Sequence, residues 1–244
     1  MTHELYFFYC LLLLVAFLYA SVGHGGASGY LALMAIFSIA PNVMKPTALL
    51  LNLFVSATSF IQFYRANHFK WKIFLPFAIA SIPMAFLGGL VLVNGTMYKR
   101  MLGGFLLISA IRFLVFPNFK VAEIKKSNIA LSLLIGAVIG LLSGMIGIGG
   151  GIILSPVLLL LKWTDQKQTA AISAAFIFVN SVSGLAGQIS KGIHFSEDML
   201  LYVVIAFAGG LLGSYFGAIR FKQPVLKNVL AVVLIMAAYK LINI

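Results

Sequence analysis

The sequence predicts an all-α polytopic membrane protein of two inverted repeats, each a glycine-broken helical pair plus three transmembrane helices. Three observations lead there. The first is composition: of 244 residues, 62% are hydrophobic and 9% charged, with a mean hydropathy of +1.08, whereas a soluble domain carries about 25% charged residues. The second is length: apolar runs such as 7–19, 73–93 and 200–218 approach or reach the ~20 residues a helix needs to cross roughly 30 Å of hydrocarbon. Helices are the expected form because they satisfy their own backbone groups there. The third is internal similarity. A shift of 124 residues lays Gly23, Gly25 and Gly26 on Gly147, Gly149 and Gly150, and without a gap also matches Val55 with Val179, Ser59 with Ser183, Leu87 with Leu211, Leu102 with Leu226 and Ile111 with Ile235.

The repeat divides the chain into a first transmembrane half, 1–119, a linker, 120–127, and a second half, 128–244. In the first half the apolar segments are 5–22, 27–40, 47–64, 73–94 and 101–116. They are separated by the glycine cluster, by Pro41 to Pro46, by Arg65 to Lys72 and by Asn94 to Arg100. The second half repeats them as 129–143, 150–161, 168–189, 199–218 and 225–242. Segments 27–40 and 150–161 are short for a crossing, so the first two segments of each half form either a re-entrant pair or two short spans. The N-terminus lacks the basic region of a secretory signal, and Leu18 stands where an A-x-A-like cleavage site needs a small residue. The first segment is therefore read as a helix. Cys10, the single cysteine, offers neither a disulfide nor a cysteine metal site and reads as a free thiol on an apolar face.

The net charge of +12 comes from 17 basic and 5 acidic residues. The basic residues are scattered among short loops instead of forming a stripe, so they report membrane topology and no nucleic-acid partner is expected. Twelve fall on one side: Arg65, Lys70, Lys72, Arg112, Lys120, Lys125, Lys126, Lys162, Lys167, Arg220, Lys222 and Lys227. Five fall on the other: Lys45, Lys99, Arg100, Lys191 and Lys240. The positive-inside rule makes the first side, with the linker, cytoplasmic and leaves both termini outside. Each half then crosses an odd number of times, so the second enters from the opposite face, as in inverted-repeat transporters with sites near the midplane.

The motifs that could carry chemistry are the two glycine breaks, Gly23-His-Gly-Gly-Ala-Ser-Gly29 and Ser143-Gly-Met-Ile-Gly-Ile-Gly-Gly-Gly151. Glycine lets a ligand approach the backbone, and a broken helix exposes N–H groups whose positive dipole end suits an anion. The competing reading is close helix packing, which suits Gly88-Gly89 and Gly209-Gly210, Gly213 and Gly217 because these lie within continuous apolar segments. In the two clusters the density of glycine exceeds what packing needs. A second ring of candidates is polar: Asn52, Ser56, Thr58, Ser59 and Gln62, with Ser173, Asn180, Ser181, Ser183 and Gln188 in the counterpart segment. Asn52, Ser56 and Ser59 share one helical face, as Ser173, Asn180 and Ser183 approximately do. Their amides and hydroxyls serve either as oxyanion donors or as interhelical glue.

All five acidic residues, Glu4, Glu123, Asp165, Glu197 and Asp198, fall in termini or loops. No carboxylate within a span is offered to a cation or a proton relay. His24 is the one histidine in a break, and its counterpart is Ile148; it either meets a substrate near neutral pH or bonds a backbone carbonyl. Arg112 reads as a snorkelling residue at the cytoplasmic face. No metalloprotease, nucleophile-elbow or P-loop pattern is present, so the chain is read as no enzyme, without cofactor or metal.

These residues resemble the sulfite exporter TauE/SafE family. The likeness rests on Ser21-Val-Gly-His-Gly-Gly26 and Ser143-Gly-Met-Ile-Gly-Ile-Gly-Gly-Gly151, on the Pro- and Ser/Thr-rich helices that follow, and on Gly209-Gly-Leu-Leu-Gly-Ser-Tyr-Phe-Gly217, and it spans essentially the whole chain. His24 departs from the family's more usual small or apolar residue. The resemblance implies a secondary transporter of the bacterial inner membrane for sulfite, thiosulfate, sulfoacetate or similar anions. The physical reading adds alternating access about an anion held by Ser21, Gly23, His24, Gly25, Gly26, Ser28, Asn52, Ser56, Ser143, Gly147, Gly149, Gly150, Gly151, Asn180 and Ser183. Expected partners are that anion and the lipid bilayer, with a homodimer as a candidate assembly. The alternative is a passive anion channel or a non-transporting accessory membrane subunit.

Overall fold

Leucine, alanine and phenylalanine runs with no water to bond their backbones become helices, and in the computed structural model every regular element among the described residues is helical. The structure describes residues 2–21, 25–115, 123–193, 197–219 and 223–242. In chain order the helices are α1 (Thr2–Ser21), α2 (Ala27–Ile36), α3 (Pro41–Arg65), α4 (Trp71–Leu90), α5 (Gly95–Val115), α6 (Ile129–Ile146), α7 (Gly151–Leu160), α8 (Gln166–Ile189), α9 (Glu197–Ile219) and α10 (Gln223–Ile242). Four of them, α3, α4, α6 and α8, are long and apolar enough to cross a membrane, while α2 and α7 are ten residues each and lie 124 positions apart.

The boundaries correct the sequence reading in three places. Pro41 to Pro46 is no break: α3 starts at Pro41, where the absent N–H is not needed, and carries Pro46 inside its early turns. The interruption instead lies just before it, around Ser38, whose φ is 58°. Asn94 to Arg100 also shrinks, since α5 starts at Gly95. Both glycine clusters are narrower than the motifs suggested. Ser21 closes α1, Ser28 and Gly29 lie inside α2, and α6 runs past Ser143 and Gly144 to Ile146. The starts of α6 and α8 carry side-chain caps: Asn128 Oδ1 accepts from the Leu131 N–H at 3.1 Å and Asp165 Oδ1 from the Gln168 N–H at 2.8 Å.

Glycines set which helices touch. Gly136, Gly140 and Gly144 of α6 face Phe77, Ser81 and Ala85 of α4, so the two helices run in the same direction at backbone contact. A Cβ on Gly140 would lie 2.6 Å from Ser81 Cα. Gly209 and Gly213 of α9 meet Leu13 and Phe17 of α1, again in parallel. Gly88 and Gly89 press on α6 and α8, so the packing reading holds for these glycines; the surroundings of Gly217 lie outside what the structure describes. Helices α3 and α8 cross in opposite directions: Leu49 lies near Gly184, and Asn52 donates to Ser181 Oγ at 3.4 Å. Helix α7 runs back along α8, with Gly151 against Ile177 and Ser155 and Ser173 hydroxyls 2.7 Å apart.

Two apolar cores result. The larger joins α1, α2, α5 and α10 with the start of α3 around Tyr19, Tyr30 and Leu102, and the smaller joins α4, α6, α7 and α8 around Phe77 and Phe176. Outward residues such as Ile79 (65% exposed) and Leu134 (63%) are apolar, the pattern of a surface that meets hydrocarbon. At the α3–α4 turn Phe60, Tyr64, Phe69, Trp71 and Phe74 form a chain of ring contacts beside Arg65, Lys70 and Lys72, as aromatic belts do at membrane interfaces. Gly140→Leu is expected to prevent α4–α6 docking and abolish a monodisperse folded species on size exclusion in detergent. Gly104→Ala, at a helical position with nothing within 4 Å of the new Cβ, is expected to stabilise by about 0.5–1 kcal/mol.

Candidate functional site

The second glycine break consists of Gly147 to Gly150 between α6 and α7. Gly147 ends α6 with φ 91° and its N–H donates to Ser143 O at 2.7 Å, while Gly150, φ 77°, starts α7. In the first break Gly26, φ 92°, starts α2. A left-handed residue directly before a helix is possible here because Gly26 and Gly150 lack a Cβ. Neither start carries a side-chain cap, so the positive ends of two short helices keep N–H groups without a side-chain acceptor.

The two breaks meet at one amide. A Cβ on Gly25 would lie 3.0 Å from Asn52 Oδ1 and 2.9 Å from Ile177 Cγ2; a Cβ on Gly149 would lie 2.8 Å from Asn52 Nδ2, 2.8 Å from the same Ile177 methyl and 3.2 Å from Ser181 Oγ. The Asn52 amide is thus seated between Gly25 and Gly149. It is presented by α3 where α3 crosses α8, and Gly151 packs on Ile177 from the same direction. Asn52 and Ser181 are wholly buried and Ile177 is 2% exposed, so the junction is closed to solvent in this conformation. Asn52 Nδ2 reaches Ser181 Oγ only at 3.4 Å, and Oδ1 has no partner. A buried amide held this weakly retains much of its capacity to bond a ligand, at a desolvation cost of about 1–3 kcal/mol for the unmet oxygen.

Of the residues marked by sequence, the structure brings Gly25, Gly149, Gly151 and Asn52 together. Gly23 and His24 lie outside the described residues. Gly26 packs on the Tyr30 ring, Gly147 on Lys45, and Gly150 on Ile139 and Phe176. Several hydroxyls are engaged elsewhere: Ser21 donates to Leu18 O at 2.8 Å, Ser56 to Asn52 O at 2.6 Å, Ser183 to Ile82 O, and Ser28 pairs with Tyr19 at 2.7 Å. Asn180 donates to Phe176 O at 2.9 Å but leaves Oδ1 unpartnered, and the Ser143 hydroxyl has no partner. Ser59 and Thr58 also bond backward to Val55 O, whereas Gln62 joins α3 to α9 through Ser214 at 2.9 Å. Polar spacing on a face marked the right helices, but serine and threonine in a membrane helix bond the preceding turn first. Sequence reasoning missed Ile177, since no pattern marks one aliphatic residue as the contact of two distant glycines. It also missed the Tyr30 hydroxyl, buried without a partner beside Gly26.

A family model described as sulfite exporter TauE/SafE matches residues 8–241. The chain is 36% identical over 232 residues to a probable membrane transporter protein of Sinorhizobium fredii, covering 93% of this chain and 94% of the relative. It is 28% identical over 156 residues to one of Methanocaldococcus jannaschii (63% of this chain, 58% of the relative) and 24% identical over 226 residues to one of Bacillus subtilis (84% and 82%). No solved structure gives a significant match. Two alanine variants separate strain from contact at the junction. Gly149→Ala and Gly192→Ala, φ 71° and 78°, share the left-handed penalty of about 1–2 kcal/mol, but only Gly149 meets neighbours within 4 Å. Gly149→Ala is expected to lower the detergent melting temperature clearly further than Gly192→Ala.

Proposed function

This chain belongs to the sulfite exporter TauE/SafE family and is a multi-pass membrane transporter, and from that premise we propose that it carries small sulfur-containing or organic anions by alternating access at the Asn52 junction. The substrate class is sulfite, thiosulfate and sulfoacetate, the membrane is the bacterial inner membrane, and the termini are periplasmic. The observation that carries this reading is the shared amide: Gly25 and Gly149, 124 residues apart, both touch Asn52. Two uncapped helix starts and two amides with unmet capacity, Asn52 and Asn180, converge near α3 and α8, and such groups suit an oxyanion.

The helix directions support inverted repeats. Helix α3 opposes its counterpart α8, while α4 runs with α6 and α9 with α1. If α3 and α4 run in opposite directions, and α8 and α9 likewise, α1 and α3 point the same way, so α1 and α2 make a re-entrant hairpin from one face. Helices α6 and α7 make the opposite hairpin, and the tips meet at Asn52. Rocking of one half against the other would open the closed junction to each face in turn. No cofactor enters this mechanism; the partners proposed are the anion, the lipid bilayer and, as an assembly, a homodimer.

Reconstituted protein is expected to take up labelled sulfite or thiosulfate saturably, with acceleration by the same anion loaded inside. Folded Gly25→Leu and Gly149→Leu proteins should lose at least about 90% of that flux, as expected for a loss of roughly 1.4 kcal/mol or more. Unchanged flux in both variants removes the site, and non-saturable flux without counterflow indicates a channel. Orientation has its own check in a Cys10→Ala background: Asn94→Cys should react with an impermeant maleimide in intact cells, and Asn67→Cys only after permeabilisation.

A further inference from the structure

Where α3 begins and α8 ends, the helix termini border a half-open cavity of about 210 Å³, room for several waters or a small polyatomic ion. Lys45, Tyr98, Met145, Gln188 and Lys191 are among its lining residues, which include two lysines and no carboxylate. Gln188 is 2% exposed, and neither atom of its amide has a hydrogen-bond partner. Lys45 lies in the first turns of α3, and among the described residues its ammonium has no carboxylate or hydrogen-bonding partner. Lys240, by contrast, donates to Ile36 O at 2.6 Å and Ser38 Oγ at 3.0 Å, closing the end of α2.

A half-buried ammonium and a buried amide donor that share one small cavity, with no acid to neutralise them, match the recognition needs of a small oxyanion. Two residues that line the cavity also contact the second break or the end of α6. A Cβ on Gly147 would lie 3.0 Å from Lys45 O and 3.2 Å from Lys45 Cγ, and Tyr98, with its hydroxyl inside the bundle, donates to Ile146 O at 2.9 Å. The arrangement has no counterpart in the other half: 124 positions away, Thr169 stands for Lys45 and Tyr64 for Gln188, and Thr169 is bonded to Thr164 and Asp165.

We infer that this cavity is a one-sided anion vestibule, in which the Lys45 ammonium and the Gln188 amide bind a small sulfur oxyanion before it reaches the Asn52 junction. As an entry site it rests on the transport reading; as a binding site it stands by itself. Occupancy would press on Lys45 and Met145, which border Gly147, so binding on this face bears directly on the second glycine break.

The test measures equilibrium binding of radiolabelled thiosulfate and sulfite to purified protein, alongside uptake into vesicles of each sidedness. Lys45→Gln and Gln188→Leu are expected to weaken binding roughly ten- to hundredfold, as for loss of a charge-assisted hydrogen bond. Lys45→Arg should retain most affinity and Arg100→Gln, which does not line the cavity, all of it. In uptake, the KM should rise only for anion presented from the Lys45 face. Gln188→Glu places a carboxylate beside the anion and should abolish binding in folded protein, which covers the case in which Gln188→Leu fails to fold. Wild-type affinity in Lys45→Gln and Gln188→Glu, or an equal loss in Arg100→Gln, overturns the vestibule and leaves transport standing. Protein that binds the anions at this pair but moves none of them overturns transport and leaves the vestibule. Wild-type protein that binds none overturns both.

Discussion

An interrupted helix inside hydrocarbon strands amide and carbonyl groups with no water to bond, at several kcal/mol each. Irregular backbone is tolerated there only when protein surrounds it, and that constraint organises the molecule. Residues 25–26 and 147–150 are enclosed by α3 and α8, the two helices that are both long and rich in buried polar side chains. The Asn52 amide occupies the space between the breaks without bonding either backbone: its Nδ2 reaches Ser181 Oγ at 3.4 Å and its Oδ1 has no partner.

Holding two breaks against one side chain requires the surrounding helices to approach closely, and here the glycines outside the breaks matter. Gly136, Gly140 and Gly144 bring α6 to backbone contact with α4, and Gly209 and Gly213 do the same for α9 and α1. Lipid tails supply no hydrophobic drive for helices to associate, so packing at this range is the main attraction available. Each break is therefore carried by a helix clamped to the other half of the chain: α6, which leads into the second break, is held by α4, and α1, which leads into the first, by α9.

The polar inventory supports the anion reading proposed above. Among the described residues the buried polar side chains are serine, threonine, asparagine and glutamine, with the hydroxyls of buried tyrosines, and Asp165 caps α8 at its start. Many hydroxyls are nevertheless satisfied by their own helix, and the groups with unmet capacity among the described residues are the amides of Asn52, Asn180 and Gln188 and the hydroxyls of Tyr30 and Ser143. The three amides are spread unevenly: Asn52 lies on α3, Asn180 on α8, and Gln188 in the cavity beside Lys45.

Composition and run length were enough to read a helical membrane protein, because hydrocarbon admits few alternatives, and the 124-residue shift located both breaks, because glycine clusters within apolar runs are conspicuous. Segment starts were legible to within about two residues at α6 and α8, read from 129 and 168 against Ile129 and Gln166, and illegible at Pro41 to Pro46, since a proline starts a helix as readily as it ends one. Of the candidate site, the glycines and Asn52 could be read from the chain, but the contribution of Ile177 could not, because its importance is a position in space and not a chemical type. Which serines bond their own helix, that Gly25 and Gly149 face one amide, and that Lys45 and Gln188 share a cavity were decided by tertiary structure alone. The physical reason is that spacing along a helix fixes which residues share a face, whereas the crossing of α3 with α8 determines what that face meets.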